Sequence, residues 1–146
     1  MTNTTTTRSD IATPIEVQRR FVDGFQNDHD VAVGEALLAH DFVNHSPFVD
    51  LPPDREGVLV AFAALWEGFP DLRAEVHQML CDGDLVTTRK TFIGTNTGSF
   101  MGQHPTGRAV EFDVIDIVRI RDGQLVEHWN VIDLLTLFSQ LGMIPG

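Results

Sequence analysis

Helical patterning in the first half and strand patterning in the second place this chain in the α+β class. Up to Phe69 the apolar residues recur every three or four positions; from Leu72 they recur every second position. Short turn signals, Asp82-Gly83-Asp84 and Arg121-Asp122-Gly123, punctuate the alternating part, which therefore reads as a meander of antiparallel strands. A length of 146 residues suits one domain with one core.

The opening stretch, MTNTTTTRSD, is polar and has no apolar signal core, so residues 1–12 are expected to be a disordered lead-in to a single domain over 13–146. Thr13, Pro14 and Glu16 form a capping box and start the first helix, whose apolar stripe is Val17, Phe21, Val22 and Phe25. Asp30 caps a second helix, expected from Val31 to about His40, with Val33, Leu37 and Leu38 inward. DFVNHSPFVDLPPD is then expected to be a loop with one short extended piece. Asp54 caps a third helix with the stripe Val58, Phe62, Leu65, Trp66 and Phe69, and Pro70 stops it. Strands are expected over 72–81, 85–94, 109–120 and 124–132. A glycine-rich connection joins the middle pair. Asp133 caps a last short helix, and Gly142 ends it.

The net charge of −11 argues against nucleic acid and anionic membranes as partners, since both need clustered Lys and Arg. No apolar stretch approaches the ~20 residues of a membrane helix, and a cytoplasmic setting is the expectation. The single cysteine, Cys81, offers neither an internal disulfide nor a zinc pattern. No HxH or HExxH spacing occurs, so no metal is expected. The glycine-rich segment is not a phosphate cradle, because it lacks GxGxxG between strand and helix.

In DVIDIVRI, residues 113–120, one strand face reads Val114, Asp116, Val118, Ile120, and Val110 and Phe112 extend it upstream. A carboxylate interrupts an otherwise dry face. Pairing the last two long strands about Asp122 sets Asp116 opposite about His128, with Asn130 on the same face. Three polar groups on one apolar face point to a lined pocket. A carboxylate near an imidazole suits proton transfer. His45 and His104 are further candidates for the cavity and its lid, and Trp66 and Phe69 for its wall. One of Arg89 and Lys90, both mid-strand, is expected to face inward and bind an anion; which of the two is left open. The opposite face carries Ile115, Ile117, Leu125, Trp129 and Val131, too apolar for a solvated surface, so a second copy is expected to cover it.

FVNHSP, FPDLRAEV, the long run from GDLVTTRK through MGQHPTGR to DGQLVEHWNVID, and QLG together resemble the SnoaL-like polyketide cyclases, or ester-cyclase group, over about residues 15–143. The resemblance implies the NTF2-like fold, a curved antiparallel sheet closed into a cone by helices around a deep pocket. It implies a homodimer or larger assembly built through the outer sheet face. It also implies a cofactor-independent aldol closure of a polyketide ester, with an acid on the last strand and a histidine on the strand before it. This sequence carries Asn130 at the position of the acid and Asp116 at that of the histidine, with His128 matching a nearby histidine.

The functional expectation is therefore an acid/base cyclase or isomerase for a small apolar carbonyl compound. Asp116 would be the base, His128 its orienting or acid partner, and Asn130 the hydrogen-bond donor to the substrate oxygen. The alternatives are a non-catalytic ligand-binding protein with the same pocket, and an epoxide hydrolase. The last would need an Asp-Arg-Asp set: Arg119 has the wrong parity, and an inward Arg89 would supply it.

Overall fold

The computed structural model describes residues 12–48 and 50–144. The lead-in expected over 1–12 lies outside the described residues except for its last position. Thr13 Oγ1 accepts the Glu16 N–H, and Glu16 Oε1 accepts the Thr13 N–H, so the capping box starts α1, Pro14–Arg20. The same helix runs on as a π-helical segment, Phe21–Asn27, whose hydrogen bonds reach five residues back. Its wider turn buries Phe21, Val22, Phe25 and Gln26 together.

Asp30 caps α2, but α2 covers only Val31–Leu37. Leu38 is already extended and opens strand β1, Leu38–Asn44. The expectation of a helix to about His40 is therefore corrected, and the short extended piece expected after it is β1, which begins earlier, at Leu38. The chain gains more by pairing alongside the last strand, where Leu38, Phe42 and Asn44 turn inward, than by another helical turn. Asp54 caps α3, Arg55–Gly68. Then follow β2, Arg73–Asp82; β3, Leu85–Thr95; β4, Ala109–Arg121; β5, Gln124–Ile132; and α4, Leu134–Gln140, capped by Asp133.

The five strands form one curved, unclosed sheet in the order β1-β5-β4-β3-β2. It is mixed: β1 runs parallel to β5, and every other pair is antiparallel. The helices line its concave face, as their single apolar stripes require. Two apolar clusters fill the space between. One gathers Val17, Phe21, Phe25, Leu38, Phe42, Val86, Val118, Ile120 and Leu125. The other gathers Val22, Phe69, Leu72, Phe92, Phe100, Val110, Phe112, Val114 and Leu137. On β4, Val114 belongs to one and Val118 to the other, so Asp116 falls on the seam between them.

The β4–β5 register is displaced by two residues from the expected one. The turn contains two residues, Asp122 and Gly123, both at positive φ (53° and 75°), so Arg121 pairs with Gln124. Val126 is then an extra residue on β5, between the Ile120–Leu125 and Arg119–Glu127 pairs. Each feature moves the pairing by one residue in the same direction. Asp116 thus faces Asn130, and His128 faces Val118. The face expected for His128 and Asn130 is the observed one. Leu125 is the exception: it lies before the bulge and is buried in the core, not on the outer face. That outer face leaves Ile115, Ile117 and Val131 exposed, Val131 by 76%.

Candidate functional site

Between the sheet and α3 lies a cavity of about 110 Å³. By the same measure one water needs about 10–15 Å³, so the space is that of an organic ligand. Its walls are apolar: Phe21 from the first helix, Val58, Phe62 and Leu65 from α3, Phe92 from β3, and Phe112 and Val114 from β4. A few polar side chains interrupt them, namely Gln18, Gln26, Asn44, Ser46, Lys90, Asp116, His128 and Asn130.

Asp116 is 3% exposed, and its partner is a cation that alternation on β3 points inward. Lys90 shares a face with Val86, Thr88 and Phe92, whereas Arg89 faces out and meets Gln78. Lys90 Nζ donates to Asp116 Oδ2 at 2.6 Å and to Gln26 Oε1 at 3.1 Å. Both ends of this ion pair are buried, and the π-helical segment supplies the glutamine that completes it. Asp116 Oδ1 is buried with no hydrogen-bond partner among the described residues. Gln18 Oε1, on the same cavity wall, is likewise unpartnered.

His128 is fixed from the other side by β1. The parallel register sets Asn44 beside it, and its Nδ1 lies 2.9 Å from Asn44 Oδ1. That oxygen already accepts the Ser46 N–H at 3.0 Å, which fixes the amide orientation. Nδ1 therefore carries the hydrogen, and Nε2 keeps a lone pair. Nε2 has no hydrogen-bond partner among the described residues. Burial pushes the His128 pKa from 6.5 down to about 4; the Asp116 charge opposes this, and Lys90 and His45 add to it. The ring is neutral at pH 7. Asp116 and His128 are not hydrogen-bonded to each other, so the expected pair is replaced by Asp116–Lys90 and His128–Asn44. The Asn130 side chain faces the cavity directly across from Asp116, and its backbone N–H donates to Ser46 Oγ at 3.0 Å.

The other candidates lie elsewhere. His45 crosses to the outer face, where it stacks on Trp129 at 4.7 Å and meets Glu127 at 2.9 Å. Hydrogen bonds from His45 and Arg119 hold the Glu127 carboxyl below its ordinary range. Trp66 packs on His29 and Phe25, one turn away from the cavity-lining Phe62. Phe69 is fully buried against Phe100. His104 borders a separate polar cleft with Asn96 and Thr106. Only Trp66 lies inside a regular element, on the face of α3 turned from the cavity; His45 follows the end of β1, Phe69 caps α3 and His104 lies in the β3–β4 connection. With Arg89 outward and Arg119 bonded to Glu127 and Asp84, no Asp-Arg-Asp set forms among the described residues. Nor do three metal-ligating side chains gather among them.

Sequence reasoning missed Gln18, Gln26 and Asn44 as members of the site, and left Lys90 unseparated from Arg89. For Lys90 the signal was present: Val86, Thr88, Lys90 and Phe92 form one alternating set. For Asn44 the set Phe42, Asn44 would have served, had β1 been recognised.

A family model for SnoaL-like polyketide cyclases matches residues 15–141. The aklanonic acid methyl ester cyclase DauD of Streptomyces sp. (strain C5) is 26% identical over 132 residues, spanning 88% of this chain and 81% of DauD. The structure of IdmH from Streptomyces antibioticus, a candidate polyketide cyclase, is 37% identical at a TM-score of 0.79, over 90% of this chain and 99% of IdmH. AclR from Streptomyces galilaeus, a candidate hydroxylase, is 30% identical at a TM-score of 0.81, over 90% of this chain and 97% of its own. One architecture thus carries proteins named for two chemistries. With the NTF2-like sheet, the apolar cavity and a match over nearly its whole length, this chain belongs to the SnoaL-like polyketide cyclases.

Proposed function

We propose that this protein is a cofactor-independent acid/base enzyme that cyclises or isomerises a small, largely apolar carbonyl compound, an ester of the polyketide type fitting best. The observation that carries the reading is Asp116 Oδ1, a buried carboxylate oxygen without a partner among the described residues, on the wall of an apolar cavity. Its other oxygen is clamped by Lys90. A carboxylate held at one oxygen and bare at the other is oriented for a C–H that a ligand brings beside it.

Removing a proton next to a carbonyl develops charge on the carbonyl oxygen. Asn130, across the ladder, offers its amide N–H to that oxygen. The carbon then bonds to a second carbonyl carbon of the same molecule, and the resulting alkoxide takes back the proton that Asp116 holds. Protons and electrons balance without a redox partner, so the reaction calls for no cofactor. His128 takes a different part from the acid first expected. Its Nε2 carries no hydrogen, so it accepts, and a substrate hydroxyl is what it would orient.

Aklanonic acid methyl ester, the compound named for DauD, is the first substrate to assay. Asp116→Asn is expected to lower turnover by about 10²–10⁴-fold. Unchanged turnover removes Asp116 from the chemistry. A second reading, a ligand carrier, is favoured by the buried Lys90–Asp116 pair, which accounts for Asp116 structurally. A compound that co-purifies with the protein and stays unconverted on long incubation would support it. We further propose a cytoplasmic homodimer, in which a second copy covers Ile115, Ile117, Trp129 and Val131.

A further inference from the structure

Lys90 is the only lysine in the chain. Lysine and arginine number ten together, so the remaining nine are arginines. The one lysine is not at the surface: it is 1% exposed and lines the cavity. Its ammonium has three N–H bonds, and Asp116 and Gln26 use two. The Phe92 ring lies 5.3 Å from Nζ, and no described residue accepts the third. As an ion-pair partner alone, an arginine would serve with a more rigid fork of donors. What a lysine adds is a proton it can lose to become a nucleophilic amine. The acceptor for that proton is already in place, 2.6 Å away.

We propose that Lys90 captures the substrate carbonyl as a Schiff base, a step that rests on the reading of this cavity as one for carbonyl compounds. The ammonium passes a proton to Asp116. The amine then forms an N–C bond to the carbonyl carbon, and a proton moves from nitrogen to oxygen to give a carbinolamine. Asp116 returns its proton to the hydroxyl, the C–O bond breaks, and water leaves an iminium. Asp116, again a carboxylate, removes the proton from the neighbouring carbon, and an enamine results. The enamine carbon bonds to the second carbonyl carbon, whose oxygen takes the proton from Asp116. Water adds back to the iminium, and Lys90 departs as the ammonium. Asp116 keeps the role given above, and the iminium replaces the bare carbonyl as the electron sink.

Pentane-2,4-dione, a small 1,3-diketone, is the probe. A Schiff base with it rearranges to a conjugated vinylogous amide, visible by ultraviolet absorption and by a mass gain of one diketone less one water. The full-length protein should gain one equivalent on the peptide holding Lys90. Peptide mapping separates this from the N-terminal amine, the one other primary amine. The gain should be lost in Lys90→Arg, and in Lys90→Met should the arginine not fold, with folding checked by circular dichroism. Asp116→Asn should slow adduct formation by about 10²-fold. A Lys90 peptide unmodified in native protein, yet modified after unfolding in urea, overturns the proposal. Were that result joined to ester turnover lost in Asp116→Asn, the acid/base reading would stand alone. An adduct on Lys90 without ester turnover would leave carbonyl capture standing and remove the cyclase reading.

Discussion

Val114 and Val118 each bury a branched side chain in a different apolar cluster, and Asp116 falls in the gap between them. That gap is where a carboxylate is tolerable, because Lys90 and Gln26 meet it there. His128 shows the opposite adjustment: it is accommodated in the dry wall by staying neutral. Its folded pKa, about 4, lies below the ordinary 6.5. As pH falls, the unfolded chain therefore takes up this proton first. The neutral ring contributes fully to stability above pH 6.5, and the contribution is lost between 6.5 and about 4, at up to about 1.4 kcal/mol per pH unit. Urea midpoints across that window should fall more steeply for the native protein than for His128→Gln. Equal slopes would show that the imidazole is not the titrating group.

Among the elements, the β4–β5 hairpin has the most influence on the site. Its two-residue turn and the Val126 bulge together set Asn130, and not Trp129, opposite Asp116. Trp129 there would bring an indole into the cavity and send Asn130 to the outer face. Gly123 sits at φ 75°, where a Cβ is unfavourable although nothing else crowds it. Gly123→Ala should therefore cost about 1–2 kcal/mol in urea unfolding. β1 matters for a similar reason: its parallel pairing delivers Asn44, which sets the His128 tautomer. The π-helical segment delivers Gln26 to Lys90. Both are departures from regular patterning, and both end at the cavity.

At the scale of the molecule, the sheet has one face buried by helices and another that remains apolar. Ile115 pairs with Val131 and Ile117 with Trp129 across the outer ladder, and Ile115 and Val131 are 48% and 76% exposed. A contiguous patch of this kind is what a second copy would cover. Val131→Glu should shift sedimentation velocity from dimer to monomer and leave the cavity intact. A wild-type protein that sediments as a monomer would dispose of the interface.

The sequence by itself determined the class of fold, the capped helix starts and the four long strands, while the face shared by Asp116, His128 and Asn130 rests on the turn and the Val126 bulge each shifting the register by one residue. The first three follow from local chemistry: caps, turn residues and the two periodicities are legible one segment at a time. The tertiary structure decided who meets whom. The pairing of Asp116 with Lys90 depends on the β3–β4 register, which sets Thr88 opposite Asp116 and Lys90 one diagonal step away, and the extra residue at Val126 on β5 is invisible to alternation. Strand β1 exists because β5 is there to receive it, so no reading of residues 38–44 in isolation would end α2 at Leu37. His45, Trp66, Phe69 and His104 were plausible by type, and the fold set them on the outer face, in the core and at a separate cleft. Where a side chain ends is a property of the assembled fold, and along a strand a single residue of offset exchanges one face for the other.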